Sequence, residues 1–166
     1  MIAPAIALAA LAWLGLLILA PFAPSLPATV VYALGAVICH QIPERSFHLA
    51  GSQLPVCARC LGIYAGAAAV ASLHVIGAFT ADPVRWRMVS PRTARRLFLL
   101  SALPTLLTVV LEWAGVWSGT NIVRAIAGVA VGAGGSFVVM SAVATLHYSA
   151  CLRRRPIEPS QIPPHI

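Results

Sequence analysis

Ala3-Pro4-Ala5-Ile6-Ala7-Leu8-Ala9-Ala10-Leu11-Ala12-Trp13-Leu14-Gly15-Leu16-Leu17-Ile18-Leu19-Ala20-Pro21-Phe22 carries no charge and is closed by Pro21, Pro24 and Pro27. A helix rising about 1.5 Å per residue needs roughly 20 such residues to cross the hydrocarbon core of a bilayer, and prolines cannot continue it. The stretch predicts a membrane span over residues 3–22. It lacks the basic n-region of a secretory signal, and although Ala20 to Ala23 faintly resembles a cleavage site, the expectation is a retained helix.

Outward from this run the same pattern recurs. Residues 56–79 are apolar and rich in Ala and Gly, residues 97–117 are apolar and interrupted by Pro104, and residues 121–148 follow the Ser118-Gly119-Thr120 turn. Residues 28–38 are apolar but reach only about half the core thickness at 1.5 Å each, which predicts a re-entrant or interfacial half-helix. The segment 39–55 is polar and reads as a loop, and the Pro-rich tail 156–166 reads as disordered. The fold class expected is all-α: an integral membrane bundle of about four transmembrane helices plus the half-helix, in one domain over 1–155.

Composition agrees. Of 166 residues 60% are hydrophobic and 9% charged, against about a quarter charged in soluble domains. The net charge of +7 comes entirely from arginine. Arg85, Arg87, Arg92, Arg95 and Arg96 lie between the second and third spans, and Arg153, Arg154 and Arg155 follow the last. That placement marks topology rather than nucleic-acid binding. It predicts a plasma (inner) membrane protein with the basic loop and C-terminus cytoplasmic. The 39–60 segment and the Ser118 turn then lie on the outer side.

Chemistry is concentrated in that segment. Cys39-His40 and, further on, Cys57-Ala58-Arg59-Cys60 supply three thiols and an imidazole, a set sufficient for a tetrahedral zinc site, while copper(I) accepts the same thiolates. The isolated fourth cysteine, Cys151, excludes a disulfide framework of the secreted kind. A redox reading competes: Pro55 places Cys57 and Cys60 near a helix start, where backbone amides and Arg59 lower a thiol pKa, so the CxxC pair with Cys39 also suits a thiol-disulfide oxidoreductase. A third reading is that the cysteines only pack. Cys57, Cys60, Tyr64, Ala67, Ala71 and His74 share one helical stripe. His74, some 21 Å from Cys60 along the helix, cannot reach the same metal; it reads as an interface histidine, with a bis-histidine haem shared with His147 as the sharper alternative.

Glu112 and Arg124 flank the outer turn at the level of the cysteines. Charges at membrane depth pair or serve a site. An ion pair between them is the simpler expectation. Together with Arg45, Arg59 and Asn121 they would instead form an anion-binding pocket for a small anionic molecule or a lipid head group, and the chain would be a transporter or enzyme for such a substrate. The Gly-rich faces around Gly62, Gly66, Gly128 and Gly132 offer smooth packing, within the chain or between copies in a homo-oligomer.

Cys39-His40-Gln41-Ile42-Pro43-Glu44-Arg45-Ser46-Phe47, then Gly51, then Pro55-Val56-Cys57-Ala58-Arg59-Cys60-Leu61-Gly62-Ile63-Tyr64-Ala65-Gly66, resembles the signature of a family of small prokaryotic polytopic membrane proteins, the domain of unknown function two thousand and eighty-five. Asn121, Arg124 and Gly128 resemble a second motif of that family. An acid expected soon after the proline of the third span is replaced here by Leu106 and Leu107, with Glu112 further on. The resemblance implies a polytopic membrane protein and transfers no activity.

Overall fold

The computed structural model describes residues 2–80 and 89–153, the side chains of 78–80, 147, 148 and 151–153 excepted. The connection over 81–88 with Arg85 and Arg87, the tail from 154, and the side chains of His147 and Cys151 lie outside the described residues. The order is α1 (Ile2–Leu19), a 3-10 turn (Ala20–Phe22), α2 (Ser25–Ile38), a second 3-10 turn (Pro43–Arg45), β1 (Ser46–Leu49), β2 (Ser52–Cys57), α3 (Ala58–Thr80), α4 (Pro91–Trp113) and α5 (Asn121–Arg153). Four segments are long and apolar enough to cross a membrane: Ile2–Phe22, Ala58–Gly77, Pro91–Trp113 and Asn121–Leu146. Many of their large apolar side chains point away from the protein, among them Leu8, Leu100, Leu106, Leu107 and Ile126. In water such a surface would be a liability; in a bilayer it is the solvated face.

The helices pack in the order α1, α3, α5, α4. The α3–α5 seam is close because glycines lie along both helices: a Cβ at Gly62 or Gly66 would collide with the carbonyl oxygens of Ala125 or Val129, and one at Gly128 or Gly132 with those of Arg59 or Ile63. Backbone approach of this kind replaces the hydrophobic drive that lipid cannot supply. Of the two expected uses of these Gly-rich faces, within the chain or between copies, the α3–α5 seam is the first. Near the far end Ala7, Ala71 and Met140 bring α1, α3 and α5 into contact.

Several boundaries differ from the sequence expectation. The polar segment 39–55 is not a plain loop, since β1 and β2 form an antiparallel hairpin with Leu49 opposite Ser52 and a bulge between Ser46 and His48. Its two-residue turn puts Ala50 at φ 50° and Gly51 at φ 80°, the left-handed pair of a tight hairpin turn. Consequently α3 begins at Ala58 rather than 56, with Cys57 as the last residue of β2. α4 begins at Pro91 rather than 97, because Ser90 caps it by accepting from the Thr93 amide at 3.1 Å and Pro91 suits the first helical position. The apolar-run criterion is blind to that cap.

α2 starts at Ser25, three residues before the expected half-helix, and its 14 residues reach about 21 Å, still short of a span. It packs on β2 and the first 3-10 turn. Gly35 permits this, since a Cβ there would strike the Pro55 carbonyl.

Candidate functional site

The three cysteines arrive from three elements. Cys39 follows α2 in extended conformation, Cys57 ends β2, and Cys60 lies in the first turn of α3. All three are free thiols, half-buried, with sulfurs within 4.8 Å of one another. Cys39 Sγ also accepts the Cys57 amide at 3.2 Å. The thiols rest on an apolar cushion of Leu17, Ala20, Val31 and Val56, against which Cys39 and Cys60 pack.

Two glutamines hold the strands and α2 in that arrangement. Gln41, at φ 48°, donates through Nε2 to the Tyr32 carbonyl at 2.8 Å and the Pro55 carbonyl at 2.7 Å. Gln53 Nε2 donates to the Gln41 carbonyl at 2.6 Å and to Ser46 Oγ at 3.2 Å, and the Tyr32 hydroxyl donates to the Gln53 carbonyl. The Gln41–Pro55, Gln53–Gln41 and Tyr32–Gln53 bonds tie the residues around Cys39 to those preceding Cys57. A left-handed conformation at a non-glycine residue persists only where its surroundings fix it, and here Gln41 is held by two bonds from Nε2 and one to its main-chain carbonyl.

Beside the thiols, one carboxylate serves three guanidinium groups. Glu112, its side chain 4% exposed, lies 2.9 Å from Arg124 Nε, 3.4 Å from Arg59 Nη2 and 3.9 Å from Arg45 Nη1. Arg59 Nη2 also reaches Thr108 Oγ1 at 3.4 Å. Asn121 fixes Arg124 by accepting its Nη1 at 2.9 Å, while donating to the Ser46 carbonyl at 3.0 Å. The cluster therefore links α3, α4, α5 and the hairpin at one end of the bundle. Arg92, about 30 Å along α4 at 1.5 Å per residue, belongs to the other end.

A cavity of about 200 Å³ joins the two groups, lined among others by Cys39, His40, Arg45, Cys57, Arg59 and Cys60. Thiols and guanidinium groups thus face one space. The Cys57 thiol, at the edge of the spanning segment, is pulled from the ordinary value of 9.0 down to about 5. The hydrogen bond from the Cys60 thiol does most of this; burial opposes it, and the Cys60 amide, the Cys39 thiol and the Arg59 amide assist. Thiolate forms as pH rises through the pKa, so in metal-free protein alkylation of Cys57 by iodoacetamide should be half-maximal near pH 5, where an unperturbed thiol waits until its ordinary value of 9.0. Peptide mass spectrometry across pH 4 to about 9 reads the profile, and a Cys57 midpoint near that ordinary value would refute it.

Other residues singled out by sequence fall into distinct places. His40 is exposed and lines the cavity, yet stands outside the group of three sulfurs. Glu44 is exposed on the second 3-10 turn and pairs with none of the described cations. Tyr64 meets Trp13 edge to face at 6.1 Å, so its place is in the packing between α1 and α3. His74 lies four turns down α3, away from the thiols. Leu106 and Leu107 are each 60% exposed on the lipid side of α4, whereas Thr105, Thr108 and Glu112 face inward. An acid at 106 or 107 would point into lipid here, and Glu112 is the acid the bundle uses.

The model of a predicted membrane protein family, DUF2085, matches residues 39–138, from the first cysteine through the whole Arg/Glu cluster. The chain belongs to this family. The DUF2085 match takes in every cavity-lining cysteine and arginine and leaves out α1 and α2. An uncharacterized protein of Methanothermobacter thermautotrophicus is 34% identical over 97 residues, 58% of this chain and 79% of the relative. Another, from Methanocaldococcus jannaschii, is 56% identical over 36 residues, 22% of this chain, which spans only 23% of that relative's length. No solved structure matches.

Gln41, Gln53, Tyr32, Ser46 and Thr108 were not legible as site residues. Their roles run through main-chain carbonyls or single side-chain bonds across the hairpin or, for Thr108, between α4 and α3, and no residue-type spacing encodes those. The one available signal was polar side chains clustered beside the cysteines in an otherwise apolar chain.

Proposed function

We propose that this is a small multi-spanning membrane protein in which Cys39, Cys57 and Cys60 hold one transition-metal ion, zinc in the first instance, at one face of the bundle. The observation that carries the reading is the mutual approach of three sulfurs from separate elements to within 4.8 Å. Zinc–sulfur bonds of about 2.3 Å in tetrahedral geometry put sulfurs about 3.8 Å apart, so small side-chain rotations close the shell. Three thiolates leave a fourth position for His40, which also lines the cavity, or for an external ligand, and copper(I) is the competing ion. A zinc–trithiolate unit carries one net negative charge, which the neighbouring arginines offset. The arginine-rich opposite end faces the cytoplasm in this reading, and the cysteine face lies outside.

The test is anaerobic purification in detergent followed by elemental analysis. About one zinc per chain is expected, falling at least tenfold in Cys57→Ser and Cys60→Ser. A membrane-impermeant chelator added to spheroplasts should strip the metal without lysis. Metal-free protein with a reducible Cys57–Cys60 disulfide would instead favour the second reading, suggested by the acidified Cys57 and its hydrogen bond from Cys60. There the Cys57 thiolate attacks a substrate disulfide and releases one substrate thiol; Cys60 then displaces the other, leaving its own disulfide with Cys57.

A further inference from the structure

The cavity holds more positive charge than the described acidic side chains neutralise. Three guanidinium groups share the single carboxylate of Glu112. Glu44, the other acid among the described residues, is exposed and unpaired with them. A divalent metal on three thiolates, with one net negative charge, would still leave one positive charge over.

The excess is located on particular atoms. Arg124 is committed, with Glu112 and Asn121 each at 2.9 Å. Arg45 is not: its one ion pair is at 3.9 Å, its side chain is 43% exposed, and it lines the cavity. Arg59, also in the lining, has a buried Nε without a hydrogen-bond partner among the described residues. A guanidinium N–H left unsatisfied away from water carries a penalty that an acceptor removes. The space, at about 200 Å³, equals roughly seven waters of 30 Å³ each, enough for one phosphate-sized group. Its position at the ends of spanning helices would, in a bilayer with a hydrocarbon core of about 30 Å, bring it near the head-group region.

We propose that this cavity is an oxyanion site, in which Arg45 and Arg59 together bind one phosphate group, supplied by an anionic lipid head group or by free phosphate. The guanidinium fork suits such a group, and the low polarity of the surroundings strengthens the contact. The proposal goes beyond the metal reading and does not depend on it.

The experiment uses the full chain, purified and delipidated in detergent, once metal-free and once zinc-loaded. Thermal unfolding is followed with inorganic phosphate against chloride at equal ionic strength, and native mass spectrometry follows binding of short-chain phosphatidylglycerol against uncharged diacylglycerol. Phosphate or phosphatidylglycerol should bind, and at least tenfold less tightly to Arg45→Gln and to Arg59→Lys, the second of which keeps the charge and loses Nε. Competition between the two ligands assigns one shared site; binding of phosphatidylglycerol alone assigns the lipid source, and of phosphate alone the free anion. Arg45→Gln changes a half-exposed residue, so its unfolding midpoint without ligand reports whether the fold is intact. No binding of either ligand, or binding unchanged in both variants, overturns the proposal. Anion binding in protein that takes up no zinc would overturn only the metal reading.

Discussion

Glu112→Gln should lower the unfolding midpoint of the detergent-solubilised protein by about 10 °C. The amide keeps an oxygen for Arg124 Nε but removes the one carboxylate that, among the described residues, pairs with three guanidinium groups, two of them on side chains no more than 18% exposed. Removing one partner of a buried ion pair costs about 3–5 kcal/mol, because the remaining charge stays buried without compensation. For a chain of this size each kcal/mol shifts the midpoint by roughly 2–4 °C. Glu44→Gln, on the exposed 3-10 turn, is the matched control and should stay within about 0.5 kcal/mol of the parent. The charge account also predicts partial recovery in the double variant Glu112→Gln/Arg59→Gln, since one stranded cation disappears with the anion. A midpoint for Glu112→Gln within about 2 °C of the parent would mean that the arginines are stabilised by something other than this carboxylate.

The pairing of Glu112 with Arg124 was readable in advance for a simple reason: lone charges inside long apolar runs must find each other, and both residues flank the same short turn. The spans were readable because apolar length is a direct consequence of bilayer thickness. What the sequence hid was the hairpin. Ser46 to Cys57 contains a bulge and two left-handed residues, so its alternation is too short and irregular to register as strands. With the hairpin hidden, the helix expected over 56–79 takes in Cys57, whereas Cys57 ends β2 directly before α3, where its amide meets Cys39 Sγ. The assembly of the thiols was legible from residue type, but the means of assembly was not. Arg45 and Arg59 illustrate the same limit, since both were read as possible anion ligands yet only the geometry separates them from the committed Arg124.

Gly128→Leu should disrupt the site from a distance, whereas Gly15→Leu should leave it intact. Both substitutions place a strong helix former in an apolar helix, so propensity favours each equally. The difference is space: a Cβ at Gly15 meets nothing within 4 Å, whereas one at Gly128 collides with the main-chain oxygen of Arg59. A clashing side chain rotates away, but a helix carbonyl does not, so α3 must retreat from α5 at the level of Arg59. Overpacking a close contact costs about 1–3 kcal/mol, occasionally more, and a backbone obstruction belongs at the upper end. Retreat also carries Arg59 away from Glu112 on α4, and moves Cys60, one residue on, relative to Cys39. Gly128→Leu should therefore combine a midpoint loss approaching 10 °C with loss of metal retention, measured on the fraction that still elutes as folded protein. Gly15→Leu should show neither. Equal behaviour of the two variants would show that the α3–α5 seam yields without disturbing the cluster, and that the glycines are not what holds the arginines and cysteines in one place.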